Sequence, residues 1–311
     1  MTIVSKHHVL FARLFFISSS TLTLGIIIYW SLLGLYHKIA LPQRIITPNY
    51  NKTEITVPFD VSEQNKKILA FQPSYKIPII MYHYVEYVED ENDTIRKSLT
   101  IAPHVFESQL ATLAKHGYTT YTVSDVPNIL NGSIPYTQKN IVLTFDDGYA
   151  DFYTDVYPLL QKYNAKATVY VITNFIGRKG FLTSAQIQEL AKSPLVEIGS
   201  HTLNHMYLKG GRRDIVKTEI TESKKILENL TNTTINTFAY PYGAFDIQAL
   251  TEVQEASYSA AVSVIPGNQQ SLINEYYLAR IRAGSLGSGD YMIHFLTTYE
   301  IIPTPEPTDE K

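Results

Sequence analysis

Residues 141–149, Ile141-Val142-Leu143-Thr144-Phe145-Asp146-Asp147-Gly148-Tyr149, decide how this chain is read. An apolar, β-prone run leads into two adjacent carboxylates, and a glycine follows at once. A short apolar run closed by a turn signal is the pattern of a buried parallel strand. The acidic pair then stands where such a strand ends, the usual place for chemistry in α/β folds. Successive side chains on an extended backbone point to opposite faces, so Asp146 and Asp147 can do different work if a cation lies nearby. Asp-Asp-Gly also makes an ordinary turn, so these residues alone leave a plain turn cap open.

Working outward, the same kind of strand recurs. Ile77 to Val85 is a β-type run broken by His83 near its far end, and Glu86 to Asp93 form an acidic loop without a period. Phe106, Leu110, Leu113 and Ala114 fall at helical spacing, with Gly117 placed to stop that helix. Tyr118 to Val123 reads as a strand. Beyond the acidic pair, the pattern predicts helices over Asp151 to Tyr163, from Ser184, over Asp214 to Leu230 and over Phe245 to Ser257. Thr183 or Ser184 is the expected N-cap of the second of these. Strands are expected at Ala167 to Ile172, Leu195 to His201, Phe238 to Gly243, Ala260 to Val264 and Tyr277 to Ala283. Strands alternating with helices give an α/β class, either an open parallel sheet or a barrel.

Composition narrows the possibilities. A chain of 311 residues with 45% hydrophobic and 18% charged side chains can build a sizeable core. A net charge of −3 provides no basic field and argues against nucleic acid as a partner. Without cysteine, any metal must be held by His, Asp or Glu. The 23 tyrosines suit sugar-facing surfaces as well as cores.

From Leu14 to Tyr36 no side chain is charged, which is long enough for one membrane-spanning helix, with Trp30 and Tyr36 suited to an interface. No small-x-small cleavage site follows, so an uncleaved anchor is favoured over a signal peptide. Lys6 and Arg13 face Lys38 and Arg44, so the flanking charges give no orientation. The expected organisation is a cytoplasmic start and anchor over 1–36 and a proline-bearing stem over 37–75. A folded domain follows over 76–300, and a Pro-rich disordered tail over 301–311.

His201-Thr202-Leu203-Asn204-His205 sets two imidazoles four residues apart, just past a strand. On one helical turn they share a face and reach a single ion. Two His and one carboxylate, with positions left for water and substrate, is a recurring catalytic zinc arrangement. The second carboxylate is then free to take a proton from the activated water.

Thr144-Phe145-Asp146-Asp147-Gly148 and His201-Thr202-Leu203-Asn204-His205 resemble the first two motifs of the polysaccharide deacetylases, the NodB-homology group called carbohydrate esterase family 4. Phe238-Ala239-Tyr240-Pro241-Tyr242-Gly243 resembles the third, and the likeness spans about Ile77 to Leu296. The resemblance implies a distorted (β/α)7 barrel. It also implies Asp146 as general base, with Asp147, His201 and His205 as ligands of a divalent metal, zinc ahead of cobalt, nickel or iron.

Departures refine the likeness. Ala239 stands where the family's third motif has an arginine that orients the catalytic Asp. The motif with Asp and Trp is missing, since the single Trp falls in the apolar N-terminal segment. Both losses resemble the branch acting on poly-β-1,6-N-acetylglucosamine, as does Met81-Tyr82-His83. In that branch this histidine supplies the general acid, so His83 is favoured over His294. Leu278-Ala279-Arg280-Ile281-Arg282 offers two arginines on one strand face, and Arg280 or Arg282 would replace the missing partner of Asp146. A backbone N–H, expected at Tyr242, would steady the oxyanion.

The expectation is therefore a monomeric, metal-dependent N-deacetylase of a surface N-acetylglucosamine polymer. It would be held by a single pass in the cell membrane with its domain outside, or secreted if the N-terminal segment is cleaved. A peptidoglycan deacetylase of the same fold and a non-catalytic glycan-binding protein are the alternatives.

Overall fold

The computed structural model describes residues 73–301 apart from Glu91. The expected anchor, most of the stem and nearly all of the tail lie outside the described residues. Among the described residues, no helix is long and apolar enough to cross a membrane.

The frame is a ring of parallel strands. In chain order they are β1 (Ile79–Tyr82), β2 (Thr119–Tyr121), β3 (Asn140–Phe145), β4 (Ala167–Val171), β5 (Val196–Ser200), β6 (Thr237–Ala239), β7 (Ala260–Pro266) and β8 (Leu278–Arg282). The ring runs β1-β8-β7-β6-β5-β4-β3 and closes where Ile79–Tyr82 pair with Val142–Phe145. Seven strands close the barrel, and β2 is the eighth. On the other edge of β3, residues 140–142 pair with β2, and 144–145 pair with β4. That divided edge is the distortion in the barrel.

Helices α1 (Pro103–Lys115), α2 (Tyr157–Tyr163), α3 (Ser184–Leu190), α4 (Arg213–Thr231) and α5 (Ile247–Glu255) occupy crossovers between strands, and α6 (Gly289–Thr298) follows β8. Their limits follow local chemistry. Pro103 opens α1, where a missing N–H costs nothing. Of the two expected N-cap residues Thr183 caps α3, in a capping box with Gln186, and Asp246 caps α5 through Ala249. The expected single helix over 151–163 is instead a wide π-turn over Phe152–Val156 followed by α2, with Pro158 in the first turn of α2. Without an N–H, Pro158 cannot extend the preceding hydrogen-bond ladder.

Alternation along the strands divides the core in two. Outward residues such as Ile80, Leu143, Val169, Ile198, Phe238 and Ile281 pack with the helices. Inward residues Ile79, Val142, Tyr170, Ala239, Val262 and Leu278 fill the barrel. Gly199 is needed there, because a Cβ would lie 2.4 Å from the Tyr170 ring.

Candidate active site

Asp146 and Asp147 follow the last residue of β3, at the C-terminal mouth of the barrel. Asp146 continues the strand, its N–H donating to Tyr82 O at 3.0 Å, and its side chain shares the inward face with Val142 and Thr144. Asp147 leaves the strand at φ 76, a conformation few non-glycine residues adopt, and Gly148 follows at φ 72. Adjacent carboxylates are thereby sent to different partners.

Asp146 meets Arg280. The guanidinium donates from Nη1 to Oδ1 and from Nη2 to Oδ2, both at 2.7 Å, a bidentate pair. Arg280 is itself fixed by Nε donating to Ser263 O at 2.7 Å and Nη1 to Thr144 Oγ1 at 3.1 Å. Burial works against a charge on Asp146, but Arg280 outweighs it and holds the carboxyl below the usual range. Of the two arginines expected here, Arg282 is exposed at the end of β8 and does not take part.

Asp147 faces His201 and His205. Its Oδ1 lies 3.4 Å from Nε2 of His201 and 3.2 Å from Nε2 of His205, and the three ligand atoms fall within 4.8 Å of one another. Both outer ring nitrogens are engaged: His201 Nδ1 donates to Ala239 O at 2.7 Å, and His205 Nδ1 lies 3.1 Å from the Tyr242 hydroxyl. A carbonyl can only accept, so the proton of a neutral His201 sits on Nδ1 and its Nε2 offers a lone pair. Asp147 Oδ1 is buried and finds no hydrogen-bond donor.

Lone pairs converging in this way repel one another unless a cation sits among them. The donor set therefore fits a divalent metal, with zinc a natural guest for two imidazoles and a carboxylate. Protons relieve the same crowding otherwise. Burial would lower the His201 imidazole, but Asp147 and Asp146 raise it, while the two imidazoles hold Asp147 well below the carboxylate range despite its burial.

The segment carrying the two histidines corrects the expected helical turn. Thr202 and His205 both take left-handed backbone, at φ 66 and 58. Glu219 of α4 is the reason. Its Oε2 accepts the N–H groups of Leu203 and Asn204, each at 2.9 Å, and its Oε1 accepts from Asn204 Nδ2 at 2.7 Å. These bonds hold the loop open and aim both rings at Asp147. Nothing in the sequence around the histidines points to a carboxylate so far along the chain.

Other expected residues fall into place by position. His83 sits just past β1, half-buried, across the ring from β5 and β6. Burial pushes its imidazole down, opposed by the charges of Asp146 and Asp147. Tyr242 lies at φ 61 with its side chain 61% exposed and its ring centroid 4.5 Å from that of His205. Tyr240 is fully buried, with its hydroxyl donating to Tyr276 O, and serves packing. His294 is exposed on α6, beside Thr298 and Tyr299, and is not part of this cluster.

The sequence profile described as polysaccharide deacetylase matches residues 133–261. YxkH of Bacillus subtilis, a relative described under the same family, is 32% identical over 214 residues, covering 69% of this chain and 74% of that one. The chain belongs to the polysaccharide deacetylase family. It is thus a hydrolase of carbon–nitrogen bonds with the NodB-type barrel. The Streptococcus pyogenes deacetylase PplD, solved in complex with acetate, superposes with a TM-score of 0.67 at 32% identity, over 72% of this chain and 99% of that one. The poly-β-1,6-N-acetyl-D-glucosamine N-deacetylase of Staphylococcus aureus is 25% identical over 218 residues, covering 66% of this chain and 73% of that one.

Proposed function

We propose that this polysaccharide deacetylase is metal-dependent and removes acetyl groups from N-acetylglucosamine residues of a surface polymer, poly-β-1,6-N-acetylglucosamine first among them. The observation that carries the chemistry is the pairing of an ionised Asp146 on Arg280 with the adjacent lone-pair cluster of Asp147, His201 and His205. The linkage is supported by Ala239, by Met81-Tyr82-His83, and by the Staphylococcus aureus relative.

Asp147, His201 and His205 would hold the metal, which supplies Lewis-acid activation of water and of the acetyl carbonyl. Asp146 accepts the proton of the attacking water, and Arg280 keeps that carboxylate charged and oriented beforehand. The Tyr242 N–H, set by its left-handed backbone, faces the developing oxyanion. His83, on the opposite wall, gives its proton to the departing glucosamine nitrogen. Residues 1–36 would anchor the chain in the cell membrane with the domain outside, a placement supported by the uncharged stretch from Leu14 to Tyr36 and by a surface substrate.

The deciding experiment is acetate release by the zinc-loaded protein from β-1,6-linked N-acetylglucosamine oligomers, β-1,4-linked oligomers and peptidoglycan. Preference for the β-1,6 oligomers is expected. Preference for peptidoglycan would move the substrate, and no release from any of them would sink the enzymatic reading.

A further inference from the structure

His83 has no hydrogen-bond partner at either ring nitrogen among the described residues, so the backbone on each side must aim it. On one side Tyr82 is fixed by strand pairing, and its carbonyl accepts the Asp146 N–H. On the other side the next anchored amide is Val85, and its N–H donates to Asp151 Oδ2 at 2.5 Å, a contact spanning 66 positions in sequence. Asp151 stands at the N-cap of the π-turn, where an Asp would ordinarily satisfy the first helical amides, yet it makes no such capping bond. Its carboxylate is committed to the strand opposite. Burial raises it to about 6, so a charge at this position is electrostatically unfavourable.

Lesser contacts lock the same segment. The Tyr84 ring stacks on Tyr149 at 3.7 Å, the Arg96 guanidinium lies 4.3 Å over Tyr84, and Arg96 pairs with Glu86. Tyr84–Val85 also pair with Thr100–Ile101. The Tyr149 ring and Asp151 both tie this segment to the turn that follows Asp146-Asp147, and Asp151 does so at a backbone amide. We infer that Asp151 is a positioning residue, holding the Val85 amide so that His83 faces the Asp147, His201 and His205 cluster across the barrel mouth. This rests on His83 being the proton donor of the proposed reaction.

Two substrates separate positioning of an acid from general support. A glucosamine nitrogen must be protonated to depart, whereas the phenolate of an aryl acetate ester leaves without an acid. The quantity read is the ratio of amide to ester turnover by the full chain with zinc, in one preparation, which cancels differences in the folded fraction. In Asp151→Ser the side chain is too short to reach Val85, and the ratio should fall about tenfold to a hundredfold, the scale of a small misplacement. Asp151→Asn keeps an acceptor oxygen and should retain most of the ratio. In metal-free protein, amide hydrogen exchange at Val85 should quicken in Asp151→Ser and not in Asp151→Asn. An unchanged ratio, or unchanged exchange, in Asp151→Ser overturns the assignment of Asp151. His83→Ala is the control: if it leaves the amide-to-ester ratio intact, the donor role of His83 itself has failed, and the role of Asp151 falls with it.

Discussion

Two carboxylates inside the barrel wall, Glu197 near the N-terminal end and Asp146 at the mouth, meet opposite electrostatic fates. Glu197 accepts from Thr168 Oγ1, Ser124 N and Thr237 Oγ1, all neutral donors. Burial prevails over them, and its carboxyl is raised. Asp146 is the more deeply buried of the two but meets a guanidinium, and its carboxyl is lowered. Hydrogen bonds alone satisfy a carboxyl, while a cation at bidentate distance keeps it charged at neutral pH. The parallel strands thus place a carboxyl shifted toward its neutral form at one end of the barrel and one held toward its charged form at the other.

The sharpest way to break this contrast is Asp146→Asn, which should lower acetate release by at least about a thousandfold, as expected when a general base is removed on top of a disturbed ion pair. Zinc content, read by atomic absorption, should stay near wild type, and lost zinc would instead exchange the roles of Asp146 and Asp147. His83→Ala should cost a factor of roughly 10²–10⁴ in kcat with metal retained. Arg280→Met leaves Asp146 buried without its cation and should destabilise by about 3–5 kcal/mol in chemical denaturation. Because Asp146 is depressed in the fold, its stabilisation is present above the unfolded carboxyl value and lost as pH falls through the folded one. Arg280→Met should therefore move the acidic limb of kcat/KM to higher pH, and an unmoved limb would remove Arg280 from this role.

Glu197→Gln is the smallest change, with activity altered by less than about twofold, since the site lies at the other end. The raised carboxyl gives stability that is full below the unfolded value and lost as pH rises through the folded one. The variant should thus gain in Tm on wild type as pH rises above the unfolded carboxyl value and through the raised folded one. A constant gap would mean that Glu197 is charged in the fold throughout.

Much of the site was legible because its signals are local. Asp146-Asp147 and His201 with His205 lie within short motifs, and buried parallel strands announce themselves as apolar runs. Arg280 was half legible: strand parity puts Arg280 and Arg282 on one face, and only distance from the strand end separates the buried residue from the exposed one. Ala239 in the third motif marked the gap that Arg280 fills. Glu219, which shapes the histidine loop, and Asp151, which reaches Val85, act through long-range contacts that no window of sequence contains. Likewise the π-turn at Phe152–Val156 carries a helical period and differs from an α-helix only in its hydrogen-bond ladder.

Arg280 also joins strands from both sides of the place where the ring closes. Its donors reach β7 through Ser263, β3 through Thr144, and Asp146, 134 positions earlier in the chain. Until β8 is seated, Asp146 has no cation to hold and orient it. In the reaction proposed above, hydrolytic competence would in this way be subordinated to the last strand: a nascent or C-terminally clipped chain would gather the Asp147, His201 and His205 cluster and still lack an oriented base. The ion pair makes the reaction conditional on a finished barrel.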